Sequence, residues 1–203
     1  MAEVDDVRGR DLDRLLTMVD AIVAIAITLL VLPLVELTAD LGEEPVRRVL
    51  ADHQGQLWSF LLSFAVIARL WWAQHEAVRG LVAMPPGFFG ALMTWTVTIV
   101  FLPFPTALVA QSGDEALTKI LYISTTAASM AVLVVIDLLV ERHPRCRVPG
   151  VRVPRAGVTA VNVGLLVLAL VISLALPVTS YLPLLLLAVD QPVARLLRLA
   201  PRR

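Results

Sequence analysis

Long stretches of apolar residues, parted by short polar segments, set the pattern of this chain. Six windows, 15–37, 57–78, 88–110, 117–140, 157–176 and 178–199, are apolar over about the 20 residues that a helix needs to cross a ~30 Å hydrocarbon layer. Helix is the only reading for them, because an open strand leaves backbone groups unsatisfied in lipid. The sixth window is the most interrupted, with Pro183, Asp190 and Pro192 inside it. Turn and loop residues punctuate the intervals: Glu43-Glu44-Pro45, Pro85-Pro86-Gly87, Ser112-Gly113-Asp114 and the segment 143–155. The pattern therefore predicts an all-α integral membrane protein with six transmembrane helices, a single membrane domain over residues 1–203.

The polar intervals also orient the chain, because cytoplasmic segments carry the excess of Lys and Arg. Thirteen basic residues fall on one side: Arg8, Arg10 and Arg14 at the start, Arg79, five between Arg142 and Arg155, and four from Arg195 onward. Three, Arg47, Arg48 and Lys119, fall on the other, and Arg69 lies within a window. Both termini are thus expected in the cytoplasm. Trp58, Trp71 and Trp72 lie toward the two ends of the second window, where interfacial anchors belong. The first window is too long for a secretory apolar region and no small-residue cleavage pattern follows it, so it reads as a retained helix.

Composition narrows the function classes. With 58% hydrophobic residues and a mean hydropathy of +0.82, the chain exceeds the apolar content of a soluble domain. Its net charge of zero gives no electrostatic footprint for nucleic acid. All but one of its basic residues are arginine, which, with abundant Ala, Val and Leu, suggests a bacterial protein and hence a multi-pass location in the plasma membrane. Cys146 is the single cysteine, so no intrachain disulfide or cysteine metal site can form. His53, His75 and His143 fall in or beside loops without metal-ligand spacing. No nucleophile elbow, P-loop or dinucleotide fingerprint occurs, and no histidine lies deep enough to activate Ser63 or Ser129. Neither enzymatic activity nor a cofactor or metal is expected.

Charges inside membrane windows imply a partner or a pathway. Asp20, Arg69, Asp137 and Asp190 are the candidates. Asp20, Arg69 and Asp137 share the cytoplasmic half, which makes Arg69 a possible charge partner for Asp20. The bland alternatives are an arginine snorkelling past Trp72 and an aspartate resting at the interface.

The first window reads Arg14-Leu-Leu-Thr-Met-Val-Asp20, followed by an Ile/Leu/Ala-rich run to Leu32-Pro33. It resembles the first helix of the transmembrane protein 175 family of potassium-permeable channels, whose signature is an Arg, three variable residues and Phe-Ser-Asp. Arg14 and Asp20 match; Met18 and Val19 stand where the family has Phe and Ser. The run Trp72-Ala-Gln-His75 resembles the family's Trp-x-x-His, and Phe101-Leu-Pro103-Phe-Pro105 its Pro-Phe-Pro region.

The resemblance implies a homotetramer with potassium as the permeant ion and the first helix lining the pore. Carried over by distance from the signature Asp, its narrow apolar layers fall on Ile25, Leu29 and Leu32, with Thr28 as a hydroxyl layer supporting the filter. Arg14 and Asp20 would anchor the helix at the cytoplasmic mouth. Independently, Ile25, Leu29 and Leu32 stand at i, i+4 and i+7, on one helical stripe, although such a stripe also suits ordinary packing. Thr28 would also bond back to the Ala24 carbonyl. The filter of backbone carbonyls built from Thr-Val-Gly-Tyr-Gly is absent, so selectivity would come from a hydrophobic constriction. The competing readings are a proton-coupled or other secondary transporter using Asp20, Arg69 and Asp190, and a membrane interaction protein that conducts nothing.

Overall fold

The computed structural model describes residues 2–38, 45–112, 115–151, 156, 157, 159–161 and 164, with backbone alone for 2–8 and Ser112. Its helices are α1 (Ala2–Leu29), α2 (Leu32–Glu36), α3 (Val46–Asp52), α4 (Gln54–Val78), α5 (Phe88–Phe101), α6 (Pro103–Ser112) and α7 (Ala116–Arg142). Four helical spans, Gly9–Glu36, Gln54–Val78, Phe88–Gln111 and Ala116–Arg142, are long and apolar enough to cross a membrane. They coincide with the first four apolar windows. The windows 157–176 and 178–199, and with them Asp190, fall almost wholly outside the described residues.

Two of these spans are broken, and prolines account for both breaks. Pro33 cannot donate to the carbonyl of Leu29, and Pro103 cannot donate to that of Ile99. At the first break Leu30 and Val31 bond back to the Ile27 and Thr28 carbonyls in tight three-residue turns before α2 resumes. At the second, Leu102 bonds to the Ile99 carbonyl and Thr106 to the Leu102 carbonyl, so α6 continues close to the line of α5.

The core lies where α1, α4, α5, α6 and α7 meet. On α1 the buried residues are Leu12, Leu15, Val19, Val23 and Ala26, followed by Leu30 just past its end, a three- and four-residue spacing that keeps one face inward. Phe88, Leu92, Trp95 and Ile99 do the same for α5, and Tyr122, Ile123, Met130, Leu133, Ile136 and Val140 for α7. Hydroxyls tie three helices together. Thr106 donates to Ser63 Oγ at 2.8 Å, and Ser63 Oγ lies 3.1 Å from the Tyr122 hydroxyl. Such bonds suit a bundle in lipid, where apolar burial no longer separates helix from solvent. Ser63 is therefore a cross-helix bonding serine, as its place inside a span suggests.

One end of the bundle is pinned by the connections that follow α4 and α7. Val82 donates to the Cys146 carbonyl and Val148 to the Gly80 carbonyl, each at 2.9 Å, forming an antiparallel bridge between Leu81 and Arg147. Gly80 permits this approach. Its φ is +81°, and a Cβ there would come within 2.7 Å of a Val151 methyl. Arg79, Arg142, Arg145 and Arg147 consequently share one end of the bundle, the arrangement their charge pattern requires.

Candidate functional site

The outward face of α1 holds the residues that the sequence singled out. With Leu12, Val19, Val23 and Ala26 turned inward, helical geometry turns Ile25 and Leu29 away from the core, and Leu32, the first residue of α2 past the break, is exposed as well. Their relative exposures in the single chain are 59%, 47% and 55%. Met18 and Ala21 continue the exposed stripe toward the N-terminus, and Thr28 is exposed within it. Ile27 behaves differently: it is half-buried and packs against the core. Among the described residues nothing covers Ile25, Leu29 and Leu32, so the stripe is unclaimed by the four described spans.

Thr28 lies beside that stripe, about 60° from Ile25 around the helix. Its hydroxyl donates to the Ile25 carbonyl at 2.8 Å. The expected back-bond to Ala24 is therefore corrected: the acceptor is three residues back, not four. The bond ties the Thr28 hydroxyl proton to the backbone, and the residue is exposed.

Asp20 has a neutral partner that the sequence did not disclose. Trp71 Nε1 donates to Asp20 Oδ1 at 2.8 Å, joining the lower part of α1 to α4 across 51 residues of chain. Trp71 also packs against the core, so it does more than anchor an interface. His75 stacks near both tryptophans, with ring centroids 5.8 Å from Trp71 and 5.8 Å from Trp72. Trp72 and Trp58 are exposed, as anchors at a membrane boundary are. Arg14 is exposed on α1, and Arg69 is half-buried on α4. Of the two departures from the signature, Val19 is fully buried in the core, whereas Met18 is exposed beside the stripe.

Asp137 has a partner within the chain. It is 3% exposed, and Thr159 donates to its Oδ2 at 2.6 Å. One turn on, Glu141 accepts from the backbone N–H of Ala156 at 2.9 Å, so two carboxylates of α7 fasten the segment that follows it. No cluster of His, Cys, Asp or Glu suited to a metal ion occurs among the described residues. His53 and His143 instead bond through Nδ1 to the Val49 and Leu139 carbonyls, closing the ends of α3 and α7.

A family model described as endosomal/lysosomal potassium channel TMEM175 matches residues 14–103. The matched family is TMEM175. The match begins at Arg14, where the first motif starts, and ends at Pro103, within the last motif, so the resemblance is borne out. A comparison with curated proteins finds no match. The fold is similar to the crystal structure of a lysosomal potassium-selective channel TMEM175 homolog from Chamaesiphon minutus, at 22% identity and a TM-score of 0.69. That likeness covers 91% of this chain and 98% of the other. The TMEM175 match takes in the whole exposed stripe of α1, the Asp20–Trp71 bond and the Trp72–His75 pair. Asp137, Glu141 and the Gly80–Val151 approach answer to no motif. Of these, Asp137 alone was singled out by the sequence, through its place inside an apolar window.

Proposed function

We propose that this chain is a potassium-permeable cation channel whose pore is lined by helix one. The observation that carries the reading is the exposed Ile25, Leu29 and Leu32 stripe, lying within the segment that matches a potassium-channel family. In a homotetramer the four stripes would face a common axis and form successive apolar rings. Such rings cannot coordinate an ion. They discriminate by how much hydration an ion gives up on passing, which costs potassium less than the more tightly hydrated sodium, and they gate by dewetting. Modest selectivity follows.

The rest of the architecture is part of the same proposal: six spans in one membrane domain, both termini in the cytoplasm of a bacterial cell, and no enzymatic step. Arg14 and Asp20 hold helix one at the cytoplasmic mouth, with the Trp71 bond to Asp20 supporting that role. Thr28 supports the constriction through its bond to the Ile25 carbonyl. Arg69 remains a proposed charge partner for Asp20, at a depth close to Trp71. The permeant ion is the only ligand required.

Purified full-length protein in planar bilayers tests this directly. The channel reading expects discrete unitary currents in potassium, with a reversal potential displaced toward potassium when sodium is placed opposite. Slow saturating flux without unitary events would identify a carrier, and the absence of flux an interaction protein.

A further inference from the structure

The break between α1 and α2 leaves backbone acceptors without donors inside an apolar span. Pro33 has no N–H for the Leu29 carbonyl, and Leu34, which would serve the Leu30 carbonyl, bonds instead to Val31 at 2.9 Å. Among the described residues no hydrogen bond reaches either the Leu29 or the Leu30 carbonyl outside the regular helices. Both lie within the span Gly9–Glu36. Unpaired carbonyls at this depth are tolerated only where protein buries them or where they line a water-filled cavity. Leu29, Val31 and Leu32 are exposed here, while the Leu30 side chain turns into the core. Lipid cannot satisfy these acceptors.

The second proline break supplies the contrast. Pro105 likewise removes the donor for the Phe101 carbonyl, and there Pro105 and Leu102 are buried and the Thr106 N–H turns to the Leu102 carbonyl. The Phe101 and Phe104 rings, with centroids 5.5 Å apart, lie across that break. The two breaks differ in place: the first adjoins the stripe that carries Ile25, Leu29 and Leu32, and the second lies on another span.

We infer that the Leu29–Leu30 carbonyls form a binding site for a dehydrating monovalent cation, a polar step directly beyond the apolar ring of Leu29. The inference rests on the pore reading above. Unwound carbonyls are hard oxygen donors of the kind that take over an alkali cation's hydration. An ion stripped in part by the apolar layers would regain ligands here before leaving or entering them.

Pro33→Ala restores the missing N–H and with it the regular bond to the Leu29 carbonyl, and it places a strong helix former in a helix. Thallium, a potassium mimic with anomalous scattering, is the probe. Crystals of the full chain soaked in thallium are expected to show a peak within ligating distance of the Leu29 or Leu30 carbonyl, lost in Pro33→Ala. In liposomes the same variant is expected to lower the potassium-to-sodium permeability ratio by about tenfold, the scale of one lost bond to a charged group. Pro105→Ala should leave both readouts at wild-type values. A wild-type protein without thallium at the break, or a Pro33→Ala protein whose permeability ratio equals that of Pro105→Ala, would overturn the carbonyl site and leave the pore reading standing. Failure of the pore reading has a separate signature: no potassium flux through the wild-type protein.

Discussion

At the scale of single residues, the Asp20–Trp71 bond shows why an intramembrane acid need not be an ion ligand. A carboxylate that accepts from an indole N–H is held in place by a neutral group, and its loss leaves a donor unpaired at a cost of about 1–3 kcal/mol. Asp20→Asn keeps an acceptor oxygen, whereas Asp20→Leu and Trp71→Phe each remove one partner. Thermal unfolding in detergent is therefore expected to rank Asp20→Asn as the mildest of the three. The Asp20→Leu and Trp71→Phe changes should also be non-additive, with a coupling of about 1 kcal/mol. Additive losses would show that the two side chains act separately. None of this pairing was legible in the sequence, because partners 51 residues apart on antiparallel helices leave no local signal. The Thr28 bond was partly legible: back-bonding follows from its residue type, but the choice of Ile25 over Ala24 is decided by the side-chain rotamer.

At the scale of elements, the spans were readable because about 20 apolar residues in a row have few alternatives. Their interruptions were not read, although Pro33 and Pro103 mark both, since a proline in a membrane helix kinks, breaks or passes unnoticed according to its neighbours. Helix α3 was also missed: its seven residues follow a Glu-Glu-Pro loop signal and include Arg47 and Arg48, too short and too polar to stand out by period. The contact between the connections after α4 and α7 belongs to this scale too. Gly80 and Gly87 both have positive φ, at 81° and 79°, so alanine costs each of them conformational strain. Only Gly80 also faces a neighbour, the Val151 side chain, whereas a Cβ at Gly87 meets nothing within 4 Å. Gly80→Ala should thus lower the unfolding temperature more than Gly87→Ala, by an extra ~1 kcal/mol or more for the forced displacement. Equal losses at the two positions would mean that the two connections do not meet as described.

At the scale of the whole molecule, sequence and structure agree on a division of labour along helix one. Its inner face, from Leu12 to Leu30, belongs to the bundle, and its outer face is apolar but unclaimed by the bundle. The Ile/Leu spacing disclosed that stripe, but spacing alone could not separate packing from pore lining. Exposure shows that none of the described spans packs on it, and the family match gives the stripe its context. The most direct test compares Ile25→Asn with Ile27→Asn, because Ile27 lies about 200° away on the same helix and packs against the core. Unitary conductance and potassium-sodium reversal potential are measured for both beside the wild type. If Ile25 forms the constriction, Ile25→Asn hydrates the ring, so conductance rises and potassium preference falls, while Ile27→Asn lowers stability without widening the pore. Leu29→Asn and Leu32→Asn should fall between, each wetting its own layer. Unchanged currents in Ile25→Asn, or equal effects at Ile25 and Ile27, would contradict a pore lined by helix one.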